Sequence, residues 1–189
     1  MPGVGIYAAA TAFALAYNQS MEVYRRGAPL EVFAAELGSY YNASTFTGFW
    51  LGQSAPGVNA SSQTQGILMS VSFLERSGFG HDLRMKNLRI EPFSDQSAIC
   101  WLTWQIQPKN GAEPWTWETL YGYRRNAEPL DQLLLLQESP IETIDYSVSN
   151  ATGGRPEGWW EFTNTDNEIF TFAQRVPHYL DSYSGNHGS

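Results

Sequence analysis

The stretch from residue 99 to residue 125 limits the possible folds most, because it holds two aromatic strand patterns joined by a short polar connection. The first pattern, residues 99–106, has apolar side chains on both faces. In the second pattern, residues 115–125, a large side chain stands at every second position, which places these side chains on one face of a β-strand. They are Trp115, Trp117, Thr119, Tyr121 and Tyr123. The connection contains Asn110-Gly111, which accepts positive φ and closes turns, so the stretch predicts an antiparallel hairpin.

The opposite face of the second strand carries one carboxylate, Glu118. A carboxyl group among large rings loses hydration, which moves its pKa towards neutrality and lets it exchange protons at physiological pH. Glu118 is therefore the candidate general acid or base. The alternative is a surface strand residue, paired in that case with Arg124 or Arg125.

Two helices are predicted before the strands. Apolar residues recur at helical spacing between residues 8 and 26, and Gly27 then ends the pattern. The apolar positions are Phe13, Tyr17, Met21 and Tyr24. A second helix is predicted from Pro29, a residue suited to a first helical turn, to Gly38. The aromatic segment 40–52 that follows predicts a short strand or an irregular edge beside a cavity.

Two further helices are predicted from capping-box spacings. Ser62 and Gln65 stand at that spacing before a third helix, which is followed by a strand pattern from residue 83. After the last strand, residues 158–165, Thr165 and Glu168 stand at the same spacing. We therefore expect Glu168 to cap a closing helix that ends near Val176.

The length of 189 residues suits one hydrophobic core, and we expect a single domain over residues 1–181 with an insertion at 126–156 and a disordered tail at 182–189. The net charge of -8 argues against binding nucleic acid through phosphates.

The N-terminal apolar run is too short to span a bilayer, so we expect a cytoplasmic protein that does not bind membranes. The lone cysteine, Cys100, lies in a strand as a small buried hydrophobe, and no histidine pair has metal-ligand spacing, so no metal site is expected.

This order of elements resembles the nuclear transport factor 2-like (NTF2-like) superfamily, and within it the polyketide-cyclase-type (SnoaL-like) domains. The motifs that carry the resemblance are Trp117-Glu118, residues 121–125, Trp160-Glu161-Phe162 and residues 166–168. The resemblance implies an α+β fold, in which a cone-shaped, curved antiparallel or mixed sheet wraps around about three N-terminal helices, with a C-terminal helix. It also implies an apolar cavity at one end, chemistry without a cofactor, and in many members a homodimer formed through the sheet.

The resulting hypothesis is an isomerase or lyase of the cyclase or dehydratase kind, acting on a small hydrophobic substrate similar to a polyketide or terpenoid. Glu118 would move the proton, and His81 or Tyr17 would stabilise charge that develops on a carbonyl. The substrate would stack on Trp101, Trp104, Trp117 and Tyr121. As alternatives, His81 and Tyr17 are structural, the four aromatic residues form core or dimer interface, and the protein is a non-catalytic ligand-binding or assembly module.

Overall fold

The computed structural model describes residues 4–56, 59–125 and 156–180. The predicted insertion, except for its last residue, and the predicted tail lie outside the described residues. Helices in the described part are α1 (Val4–Arg25), α2 (Leu30–Gly38), α3 (Ala60–Arg76) and α4 (Asp166–Ala173). Strands are β1 (Thr47–Trp50), β2 (Gln53–Pro56), β3 (Leu83–Pro92), β4 (Ser97–Ile106), β5 (Trp115–Arg124) and β6 (Trp159–Asn164).

The strands form one mixed sheet in the order β2-β1-β6-β5-β4-β3. Strands β3, β4 and β5 pair antiparallel as predicted, and β1 and β6 are the parallel pair. Helix α1 packs against β3 and β4, α2 packs against α1 and α3, and α4 packs against β5. The sheet remains open, with β2 and β3 at its edges. This confirms the predicted α+β cone-like architecture.

The alternation in β5 is confirmed, because its predicted aromatic face is buried against the helices. In β4 the buried positions also alternate, with Cys100 opposite Tyr121 and Trp104 opposite Trp117. Strand β3 has an irregular register between Met85 and Asn87, which explains its imperfect alternation in the sequence.

The predicted face of α1 enters the core. Phe13, Tyr17 and Met21 are buried, and the ring centroid of Phe13 lies 4.9 Å from that of Trp160 on β6. Gly27 adopts a φ of 76°, the left-handed conformation that commonly ends a helix. The helix begins at Val4, about one turn before the predicted start.

The predictions for the start of α3 and for the two ends of α4 are wrong. The N-cap of α3 is Asn59, whose side chain accepts from the Ser62 backbone, so Ser62 occupies the last position of the capping box (N3) rather than the first. Thr165 makes no side-chain capping bond at α4, and that helix ends at Ala173. The segment after residue 40 contains a short strand, β1, which was one of its two predicted alternatives. β1 is an inner strand, because β2 folds back along it and becomes the edge.

Within the described part of the chain, no helix combines the length and the hydropathy that crossing a bilayer requires.

Candidate active site

A cavity of about 120 Å³ lies between the helices and the inner face of the sheet. Its walls come from all four described helices, from strands β3, β4, β5 and β6, and from the segments that precede β1, β3 and α4. Polar lining residues are Tyr17, Tyr41, Ser70, His81, Tyr121, Thr163, Thr165 and Glu168. Apolar and indole lining residues are Met21, Leu37, Ile67, Val71, Leu83, Trp104 and Trp117.

Three tyrosines from distant parts of the chain meet in this cavity, and we call them the tyrosine cluster: Tyr17, Tyr41 and Tyr121. The hydroxyl oxygens of Tyr17 and Tyr41 lie 2.8 Å apart in a hydrogen bond. The Tyr121 ring centroid lies 5.8 Å from that of Tyr17, and its phenol interacts electrostatically with that of Tyr41. Burial raises the pKa of all three phenols well above the usual value. The cluster therefore stays protonated at neutral pH and offers O–H donors.

Glu168, in the first turn of α4, supplies a carboxylate to the same cavity. Its Oε2 accepts hydrogen bonds from Trp117 Nε1 at 3.2 Å and from Thr119 Oγ1 at 3.1 Å. The residue is half-buried by surface area, yet protein surrounds the carboxylate itself. Burial raises the pKa of Glu168, and the two hydrogen bonds only partly offset that effect.

The start of α4 explains why Glu168 faces the sheet instead of capping the helix. Asn164 accepts from the Asp166 backbone at 3.1 Å, and the Asp166 carboxylate accepts from the Leu51 backbone. These contacts anchor the helix start without Glu168. Since Glu168 stands beside Ile169 and four residues before Phe172, both buried, helical periodicity puts it on the packed face.

The carboxylate and the phenols interact across the cavity. The negative charge of Glu168 raises the pKa of Tyr17, Tyr41 and Tyr121, in each case as a smaller contribution than burial. A possible base and a group of hydrogen-bond donors thus share one apolar space. Such an arrangement can remove a proton from a ligand and stabilise the negative charge that results.

His81 also lines the cavity, but as an uncharged ring. Burial lowers its pKa to about 4. Its backbone N–H donates to the Tyr24 hydroxyl at 2.8 Å, and its Nδ1 is buried with no hydrogen-bond partner among the residues that the structure describes. At neutral pH this histidine adds no positive charge to the site.

Two sequence-predicted site residues lie elsewhere. Glu118 is exposed on the outer face of the sheet, where its backbone N–H donates to the side chain of Asn167 at 2.8 Å. The alternation that turns Trp117 inward turns Glu118 outward, so its expected position in the cavity is wrong. Trp101 likewise lies on the outer face, with the Arg89 guanidinium carbon 3.7 Å from its ring centroid.

The other five candidates, His81, Tyr17, Trp104, Trp117 and Tyr121, do line the cavity. The sequence interpretation missed Glu168 and Tyr41. Helical periodicity relative to Ile169 and Phe172 could have identified Glu168. Tyr41 precedes β1 in a turn-rich segment with no periodicity, so no sequence signal marks it.

The described residues contain no group of three or more His, Cys, Asp or Glu side chains that could hold a metal ion. Cys100 is buried in β4, and burial raises its thiol pKa to about 12. Because a thiolate rather than a thiol is the nucleophile, Cys100 is unsuited to nucleophilic chemistry.

No protein-family model matches the sequence, and no curated protein matches it. Among solved structures, the chain is similar to a domain of unknown function with a cystatin-like fold from Nostoc punctiforme. The identity is 10% and the TM-score 0.50, over 96% of this chain and 94% of the other.

Two other similar structures have lower TM-scores. One is an NTF-2-like protein of unknown function from Shewanella oneidensis, with 9% identity and a TM-score of 0.47 over 82% of this chain and 96% of the other. The second is a ketosteroid isomerase-like protein from Erwinia carotovora, with 13% identity and a TM-score of 0.44 over 85% and 91% of the two chains.

The described chain is thus an α+β protein whose curved open sheet and helices enclose a cavity. Its fold is similar to that of the Nostoc punctiforme domain with a cystatin-like fold, and the cone-like architecture agrees with the sequence resemblance. Membership of the NTF2-like superfamily stays a prediction. The SnoaL-like subtype and the homodimer stay predictions.

Proposed function

We propose that the protein is a small-molecule enzyme that moves a proton at a carbon next to a carbonyl group, as isomerases and lyases do. The observation that carries the proposal is the carboxylate of Glu168, with a raised pKa, in one cavity with three protonated tyrosines. This assignment gives Glu168 the role expected of Glu118.

Glu168 acts as the general base. Its raised pKa makes the carboxylate a stronger proton acceptor than an exposed glutamate. Both of its hydrogen bonds end on Oε2, and no described residue donates to Oε1. Oε1 is therefore available to take a proton from a substrate carbon, while Trp117 and Thr119 hold the group in place.

The tyrosine cluster stabilises the negative charge formed in that step. When the C–H bond breaks, the proton moves to Glu168 and the electron pair shifts to the carbonyl oxygen, which becomes an enolate. Hydrogen-bond donors fixed in an apolar site favour such an oxyanion more than water does. Return of the proton to another carbon completes an isomerisation, and loss of a group from the adjacent carbon completes an elimination.

Hydrogen exchange tests this chemistry without knowledge of the natural substrate. Cyclopentanone in D₂O would be incubated with the protein, and loss of its α-hydrogens followed by proton NMR. We expect E168Q to slow the catalysed exchange by about 100-fold or more, because general-base catalysis contributes factors of that order. The matched control is E118Q, which changes an exposed carboxylate on the outer face of the sheet. With this variant the ketone should exchange its α-hydrogens at the wild-type rate.

If the E168Q variant catalyses hydrogen exchange of the ketone at the wild-type rate, Glu168 is not the general base. If the wild-type protein binds the ketone but does not accelerate exchange, the cavity belongs to a non-catalytic ligand-binding module.

A further inference from the structure

We infer that the substrate is a small carbonyl compound without a negative charge and with no more than one six-membered ring. The inference rests on the proposed function and adds a substrate class to it. Three properties of the cavity support it: the charge of its lining, its volume and the packing behind its walls.

Glu168 supplies the only carboxylate among the described lining residues, and burial keeps His81 uncharged at neutral pH, so no described lining side chain offers a positive charge. The nearby cations are engaged elsewhere: Arg25 contacts Asp82 at 3.1 Å, and Lys109 contacts Glu75 at 2.9 Å. A carboxylate or phosphate ligand would therefore lose its hydration beside a negative charge without a compensating cation. Burial of an unpaired charge is costly, so the cavity disfavours anions.

The volume of about 120 Å³ limits the size of the ligand. An apolar cavity of about 150 Å³ in another protein accommodates benzene. A single ring with one polar substituent is therefore near the upper limit here, and fused polycyclic compounds exceed it.

A second layer of aromatic rings supports the walls and opposes expansion. The Tyr121 ring centroid lies 4.7 Å from that of Trp160, and the Trp117 centroid lies 4.8 Å from that of Phe172. Trp160 and Phe172 are themselves fully buried. Widening the cavity would disrupt the close packing of these rings, which destabilises a protein core.

The distribution of polar groups favours one carbonyl on an apolar body. Hydrogen-bond donors are provided by the tyrosine cluster, whereas Met21, Leu37, Ile67 and Val71 offer only apolar surface. An uncharged oxygen can accept from the phenols while the ring contacts this apolar wall.

Binding of three compounds tests the inference, with tryptophan fluorescence quenching as the readout at neutral pH. Cyclohexanone is the reference, cyclohexanecarboxylate adds a negative charge, and 2-decalone adds a second fused ring. We expect cyclohexanone to bind at least tenfold more tightly than either of the others. E168Q should regain cyclohexanecarboxylate binding, because it removes the repelling charge, whereas E118Q should not.

Equal or tighter binding of the carboxylate or the fused ketone to the wild-type protein would overturn the inference, as would failure of all three compounds to bind. Lack of rescue by E168Q would also contradict the charge argument. These measurements need no turnover. A failed binding series leaves the exchange result for Glu168 standing, and a failed exchange experiment leaves the binding series interpretable.

Discussion

The indole Nε1 of Trp117 donates to the carboxylate of Glu168 across a distance of 3.2 Å, which joins the inner face of β5 to the first turn of α4. Thr119 donates to the same oxygen at 3.1 Å. Alternate residues of one strand thus hold one carboxylate at the cavity wall. Because these two hydrogen bonds fix its carboxylate at the cavity wall, Glu168, a residue of the first turn of α4, is the candidate base.

Removing a cluster hydroxyl should reduce catalysis and preserve the fold. We expect Tyr121→Phe to slow ketone exchange by about 10-fold to 100-fold, since one oxyanion donor is lost while the ring remains packed. The measurement is the NMR exchange rate, with circular dichroism as a check on folding. Tyr7→Phe is the matched control, because Tyr7 is 51% exposed on α1. Equal rates for Tyr121→Phe and the control would exclude the tyrosine from charge stabilisation.

Thr119→Val should raise the pKa of Glu168 further. Valine keeps the shape of threonine but removes the Oγ1 donor that stabilises the ionised carboxylate. A hydrogen bond to a charged group is worth about 1.5–3 kcal/mol, so we expect the midpoint of the pH–rate profile to rise by about one to two units. Thr116→Val, an exposed change on the outer face, should leave the midpoint unchanged. A midpoint that moves downward would contradict the assignment.

His81 should make the protein sensitive to acid. Its pKa is lowered in the folded state from 6.5 to about 4, so between those values the unfolded chain binds more protons than the native protein. Stability therefore falls as the pH falls through that window, by a total of about 3 kcal/mol. Urea unfolding across this range should show the slope, and His81→Gln should flatten it. An unchanged slope in the variant would assign the acid sensitivity to other groups.

Glu161 should stabilise the segment that carries Tyr41. Its carboxylate accepts from Asn42 Nδ2 at 2.9 Å and from Trp159 Nε1 at 2.6 Å, and Asn42 directly follows Tyr41. We expect Glu161→Ala to reduce the free energy of unfolding by about 1–3 kcal/mol, because partly buried donors lose their acceptor. Urea denaturation measures this effect. Glu113→Ala, at an exposed position between β4 and β5, should change stability by less than about 0.5 kcal/mol.

The fold was largely predictable because its strongest signals are local. The alternation from Trp115 to Tyr123 places each side chain relative to its neighbours, and this holds whichever strands pair with it. The spacing of Phe13, Tyr17 and Met21 similarly defines one helix face. The parallel pairing of β1 with β6 had no such local signal, since it joins segments more than a hundred residues apart.

The site was only partly predictable, because local sequence patterns do not show which distant segments meet. Periodicity separates Glu118 from Trp117 but does not say which face meets the helices, and the structure turns Glu118 to the outer side. Tyr41 comes from a segment without periodicity, and its hydroxyl gains a role only where the folded chain brings it within 2.8 Å of the Tyr17 hydroxyl.

The sequence by itself determined the strand and helix patterns, the aromatic inner face of β5 and the low content of basic residues. Only the tertiary structure decided which carboxylate enters the cavity, because the surroundings of Glu168 depend on how α4 docks against β5. The same docking removes water from that carboxylate and brings it near three tyrosines. A pKa depends on such surroundings, and they form only when distant segments pack together.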